Sequence, residues 1–138
     1  MTETKQIEYN DEAELKATLV GRRIIETRKS KSKDPWRVEL DSIEFVLDNG
    51  VILEAREANG GCACSNGCWS VDTPGAPTSV ITDVQVVDET HDEYGDSATL
   101  RMFVYSEGIK SELVTSEGGD SGYYGWGFHM FVKEPANV

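Results

Sequence analysis

Residues 42–57 read SIEFVLDNGVILEARE. Ile43, Phe45 and Leu47 alternate with Glu44 and Val46, and Val51, Leu53 and Ala55 resume the alternation beyond Asp48-Asn49-Gly50. A period of two puts these apolar side chains on one face of an extended chain, and Asn-Gly supplies the positive φ angles of a tight reversal. The stretch is predicted as a β-hairpin with one buried face. It sets the expectation for the rest of the chain.

Further along, ATLRMFVY (98–105) and IKSELVT (109–115) flank Ser106-Glu107-Gly108, where glycine suits the left-handed position of a bulged turn. SVITDVQVV (79–87) and YYGWGFHMFV (123–132) supply two more strands, the last stopped by Pro135. RRIIETRK (22–29) is the first strand and runs into KSKSKDP (29–35), which ends on an Asp-Pro turn signal. A helical period occurs in DEAELKATLVG (11–21). Asp11 serves as N-cap with Glu14 three residues on, Leu15 and Leu19 are four apart, and Gly21 stops the helix. Residues 1–10 are polar and aperiodic, so a flexible tail is expected there. These elements predict a mainly β fold, an antiparallel sandwich or partly open barrel of about seven strands with one short N-terminal helix. A single β-rich domain is expected over residues 11–135.

The chain has 138 residues, and no apolar run is long enough to span a bilayer. Its start, MTETKQIEYNDEAEL, lacks the basic and apolar segments of a secretory signal, and its three cysteines are an odd number. Both features predict a cytoplasmic protein without a membrane partner. The net charge of −12 argues against direct binding of nucleic acid, whose phosphates require a basic surface. The charge is also polarised. Residues 16–37 carry eight basic and two acidic side chains, leaving −18 on the remainder. Within them, Arg28, Lys29, Lys31 and Lys33 form a basic edge that can face solvent, the protein's own acids, or a partner's phosphates.

All three cysteines fall in GGCACSNGCW (60–69), inside a long Gly-, Pro- and Ser-rich stretch, 58–79. Cys64 and Cys68 have a spacing used by zinc ligands, Cys62 and Cys64 are closer than usual, and a fourth donor would be His129, His91 or a carboxylate. Simple packing of the thiols under a turn beside Trp69 is weighed above zinc binding. A Cys62–Cys68 disulfide also stays open, although a reducing compartment opposes it. A cysteine nucleophile with a histidine base is disfavoured, because nothing in the spacing brings the two together.

In GGDSGYYGWGFHMF (118–131), strand alternation puts Tyr124, Trp126, Phe128 and Met130 on one face and Tyr123, Gly125, Gly127, His129 and Phe131 on the other. The favoured reading is a core stripe whose glycines let another segment approach closely. The functional alternative is a shallow ligand or partner groove over Gly125 and Gly127, edged by Tyr123 and His129, with Asp120 and Trp69 nearby. DETHDEYGD (88–96) is acidic but lacks the ordered ligand positions of a calcium loop, and is expected as a solvated hairpin end.

The Asp-Asn-Gly hairpin leading into ANGGCACSNGCW, then TSVITDVQVV and GYYGWGF, resembles a family of uncharacterised small proteins encoded by phages of mycobacteria and related actinobacteria. The likeness covers about residues 19–135. It implies a phage gene product made in the cytoplasm of a bacterial host, and it carries over no catalytic or binding residue. Cysteine number and spacing vary in that family, which weakens an obligatory three-thiol site. The expected function is a non-enzymatic binding module acting on a host or phage macromolecule, with a basic protein favoured by the acidity. The alternative is a small-molecule or zinc-binding protein, extending to a metal-dependent enzyme, that uses the cysteine loop with His129 as ligand or base.

Overall fold

The computed structural model describes residues 3–33, 39–59, 67–90, 97–119 and 127–135. In chain order these form β1 (Glu3–Ile7), α1 (Glu12–Leu19), β2 (Ile24–Lys33), β3 (Glu39–Leu47), β4 (Ile52–Arg56) and β5 (Ala58–Asn59), followed by β6 (Cys68–Trp69), β7 (Ile81–Thr90), β8 (Ser97–Ser106), β9 (Ile109–Gly119) and β10 (His129–Glu134).

The 42–57 stretch folds as its period dictates. β3 and β4 pair antiparallel, with Phe45 opposite Leu53 and Ile43 opposite Ala55, and all four are buried. The reversal differs in one detail. Gly50 takes the left-handed conformation (φ +88°) and donates its N–H to the Leu47 carbonyl, whereas Asn49 has no positive φ and uses its side-chain oxygen to accept from Val51 N–H. This is a three-residue loop ending in a left-handed glycine.

Around that hairpin the first sheet has the order β1-β10-β4-β3-β2, and the second has the order β5-β6-β9-β8-β7. Every neighbouring pair is antiparallel. The mainly β expectation with one short helix therefore holds, as two antiparallel sheets and no closed barrel. The chain passes from one sheet to the other at Glu57, where β4 ends and β5 begins. One core cluster joins inward residues of both sheets, from Phe45, Leu53 and Met130 to Leu100, Met102 and Val104, with Leu15 and Leu19 of the helix.

α1 forms where predicted. The Asp11 carboxylate accepts from Glu14 N–H at 3.1 Å, Leu15 and Leu19 are fully buried, and Gly21 (φ +85°) ends the turn. Each buried leucine contributes roughly 1.5–3 kcal/mol over an exposed one. The helix packs along β7, and the Glu12 carboxylate accepts from Val86 N–H at 2.9 Å, which shields that edge of the second sheet.

One expectation is corrected. Residues 3–7, expected in a flexible tail, form β1, with Ile7 opposite Met130 and both Ile7 and Tyr9 buried. Their alternation is too short to stand out, yet it suffices once β10 offers an edge. The seven strands read from the sequence form, joined among the described residues by β1 and the two-residue β5 and β6.

Candidate functional site

The sheets leave an open cleft of about 490 Å³ where β2 and β3 face the segment that follows β6. Its walls are Lys29, Ser30 and Lys31 of β2, Asp41, Ser42 and Ile43 of β3, and Ser70, Val71 and Asp72. The β2–β3 register sets the first six, pairing Lys29 with Ile43, Ser30 with Ser42, and Lys31 with Asp41. Opposed residues share a face, so Lys29 and Lys31 lie on the core-facing side of this edge strand. Ser30 and Ser42 share a hydroxyl hydrogen bond of 2.7 Å, and Ser42 is buried.

The opposite wall is held by backbone. Ser70 N–H donates to the Glu117 carbonyl, and Asp72 exchanges both main-chain bonds with Thr115 at 2.9 Å. This fixes the Asp72 carboxylate near β2, where the Lys29 ammonium reaches it at 3.4 Å across the cleft. The Asp72 carboxyl lies below its ordinary pKa, first because Thr73 N–H donates to it and then because Lys29 is near. On the other side, Lys31 lies 3.5 Å from Asp41 and 3.9 Å from Glu39. Asp41 is tied at its main chain to Glu57: its N–H donates to the Glu57 carboxylate, and its carbonyl accepts from Glu57 N–H. Ile43 and Val71 are the apolar residues of the lining, and both are buried.

Two of the four residues of the predicted basic edge, Lys29 and Lys31, thus reach the cleft. Arg28 lies on the other face of β2, opposite Glu44, and pairs with Glu26 at 3.2 Å. Lys33 ends β2 opposite Glu39. The rest of the lining was missed by sequence reasoning, although Asp41 and Asp72 stand out as acids beside a basic stretch once the sheets are stacked.

The cysteine and glycine sites fare differently. Cys62, Cys64, Asp120, Tyr123 and Gly125 lie outside the described residues. Cys68 is exposed on β6, opposite Asn59 and Gly119 in the second sheet. His129 is in the first sheet, opposite Arg56. Among the described residues, no three His, Cys, Asp or Glu side chains converge as metal donors. Trp69 is a core residue, 2% exposed. Over Gly127 the space is taken by Tyr9, whose ring would overlap any Cβ placed there. Tyr9 also stacks obliquely on Phe128 and donates its hydroxyl to Asp88 at 2.8 Å. The close approach expected over this glycine is thus made by the chain's own N-terminal segment.

Outside the cleft, both sheets carry charge on their outer faces. On the first, the buried Glu54 carboxylate binds Arg56 at 2.6 Å and Lys133 at 3.4 Å, Lys133 also meets Glu44, and Arg56 lies over the Phe131 ring. On the second, Arg101 lies between Glu89 and Glu112, and Lys110 covers the Phe103 ring. Among the described residues no helix is long and apolar enough to cross a membrane.

Fold and site together define a two-sheet antiparallel β protein with a charged cleft at the seam between its sheets. The chain belongs to the family described as Domain of unknown function (DUF7448), whose model matches residues 17–130 and so includes every residue lining the cleft. No curated protein and no solved structure matches it.

Proposed function

We propose that this chain is a non-enzymatic binding module of phage origin that acts in the host cytoplasm on a host or phage protein, through attraction to a basic surface. One observation carries the reading: most of the described cations of the chain's basic segment are engaged by its own acids. Lys16 pairs with Asp83, Arg22 with Asp48, Arg28 with Glu26, Lys29 with Asp72, and Lys31 with Asp41 and Glu39. Five of the eight basic side chains of 16–37 are thus held by the chain's own acids, and the chain as a whole keeps a net charge of −12. On the second sheet's outer face, Glu89 and Glu117 flank Thr99 on the two neighbouring strands, and both are exposed.

A surface of this sign raises the encounter rate with basic proteins and repels nucleic-acid phosphates. The phage origin and the host setting rest on the sequence likeness of the hairpin, cysteine-loop and Gly-Tyr-Tyr-Gly elements. The test is retention of bacterial host proteins by the immobilised chain at low and high salt, compared with the Glu89→Lys/Glu117→Lys variant. Basic proteins retained at low salt, and released both by salt and by the double substitution, support the reading. Retention unchanged by salt or by the charge reversal overturns it.

A further inference from the structure

We infer that the seam cleft is a binding site for a small dipolar molecule that carries both a carboxylate and an ammonium group, of the amino-acid or short-peptide class. The open cleft's volume of about 490 Å³ falls within the range of small-ligand sites. The lining contains two cations, Lys29 and Lys31, and two carboxylates, Asp41 and Asp72. These charges sum to zero. Phosphate or a metal cation would gain from one pair and be repelled by the other, whereas a dipolar molecule can satisfy both.

The existing pairs do not block such a ligand. They are 3.4–3.5 Å long, and all four side chains are more than half exposed. Exposed pairs of this kind are weak, so a ligand carboxylate can replace aspartate at a lysine, and a ligand ammonium can replace lysine at an aspartate, at little cost. One carboxylate is already positioned. Asp72 is held by its main-chain bridge to Thr115 and by Thr73 N–H on its side chain, while Asp41 is anchored at its main chain by Glu57. Pre-set donors and acceptors lower the ordering cost of binding. Between the charges, Ile43 and Val71 form the apolar floor of the cleft, which suits a short aliphatic side chain.

The site is independent of the acidic-face reading, and either can fail without the other. It is tested by titrating the isotope-labelled full chain with the dipeptide alanyl-valine, following backbone amide resonances by NMR. Saturable shifts clustered at 29–31, 41–43 and 70–72 are expected. The N-acetylated and the C-amidated dipeptides, each lacking one charge, should bind several-fold more weakly. Lys29→Ala and Asp72→Asn should weaken binding of the uncapped dipeptide, with the spectrum elsewhere unchanged as the check on folding. The proposal is overturned by an absence of saturable shifts at millimolar dipeptide, by equal binding of the capped forms, or by inorganic phosphate producing the same shifts.

Discussion

Gly118 of β9 lies directly under the Cys68 carbonyl of β6, so close that a β-carbon at position 118 would overlap main-chain atoms of both Cys68 and Trp69. This contact seats Trp69 in the core and brings the 70–72 wall of the cleft against β9. Backbone cannot yield as a side-chain tip can. Overpacking typically costs about 1–3 kcal/mol, and Gly118→Ala should fall at the top of that range, about 3 kcal/mol. Chemical denaturation of the two proteins measures it directly, and a loss below about 1 kcal/mol would show that β6 can move away.

Much of the fold is legible in the sequence. The period of two in 43–47 and 51–55 and the Asp11 cap with Leu15 and Leu19 each depend on neighbours in sequence, and each formed as read. What failed depends on distant partners. Ile7 and Tyr9 acquire meaning through Met130, Phe128 and Gly127, more than a hundred residues away. Three register shifts also break the alternation, at Ile25, Thr82 and Leu113, so that Leu113 and Val114 are both buried although adjacent. The cleft was half legible. Its lysines came from a visible basic run, but its other wall came from a stretch read as loop, and Lys29 meets Asp72 only because two sheets stack.

The β8–β9 reversal holds a removable strain. Ser106 pairs with Ile109, leaving a two-residue turn in which Glu107 (φ +54°) and Gly108 (φ +76°) are both left-handed, in place of the bulged turn expected from the sequence. A left-handed residue with a β-carbon costs roughly 1–2 kcal/mol, and asparagine tolerates the conformation best after glycine. Glu107→Asn should therefore stabilise the protein by about 0.5–1 kcal/mol, read as a rise in denaturation midpoint. Glu107→Val, β-branched at the same angle, should lower it.

β2 ends its sheet, and its second edge has no strand beside it among the described residues. Charged side chains on the core-facing side of an edge strand deter pairing with another chain, since a partner strand would have to bury them. Lys29 and Lys31 occupy such positions, opposite Ile43 and Asp41. Lys29→Val/Lys31→Val should leave the stability of the monomer nearly unchanged, because exposed ion pairs contribute about 0–1 kcal/mol each. It should instead promote concentration-dependent self-association, seen by sedimentation velocity. A variant that stays monomeric at every concentration would show that this edge is protected by something other than its lysines.

His129 gives the protein a predictable response to mild acid. Burial, and then the Arg56 guanidinium beside it, hold its imidazole below the ordinary value of 6.5, with Glu8 opposing more weakly. The Gln6 amide nitrogen lies 3.3 Å from Nδ1, the arrangement of a neutral ring accepting through that nitrogen. Well above pH 6.5 the ring is neutral in both folded and unfolded chains and contributes nothing to the pH dependence. As the pH falls through that value, the unfolded chain takes up a proton that the folded one resists. Stability then drops until the lower folded pKa is reached, below which the loss is constant. The unfolding free energy should therefore decrease as the pH falls through 6.5, and His129→Gln should flatten that part of the curve. Comparison with the variant separates His129 from His91 and from the carboxylates. Parallel curves for the two proteins would place the proton uptake on another group and show that neither burial nor Arg56 holds the His129 ring neutral.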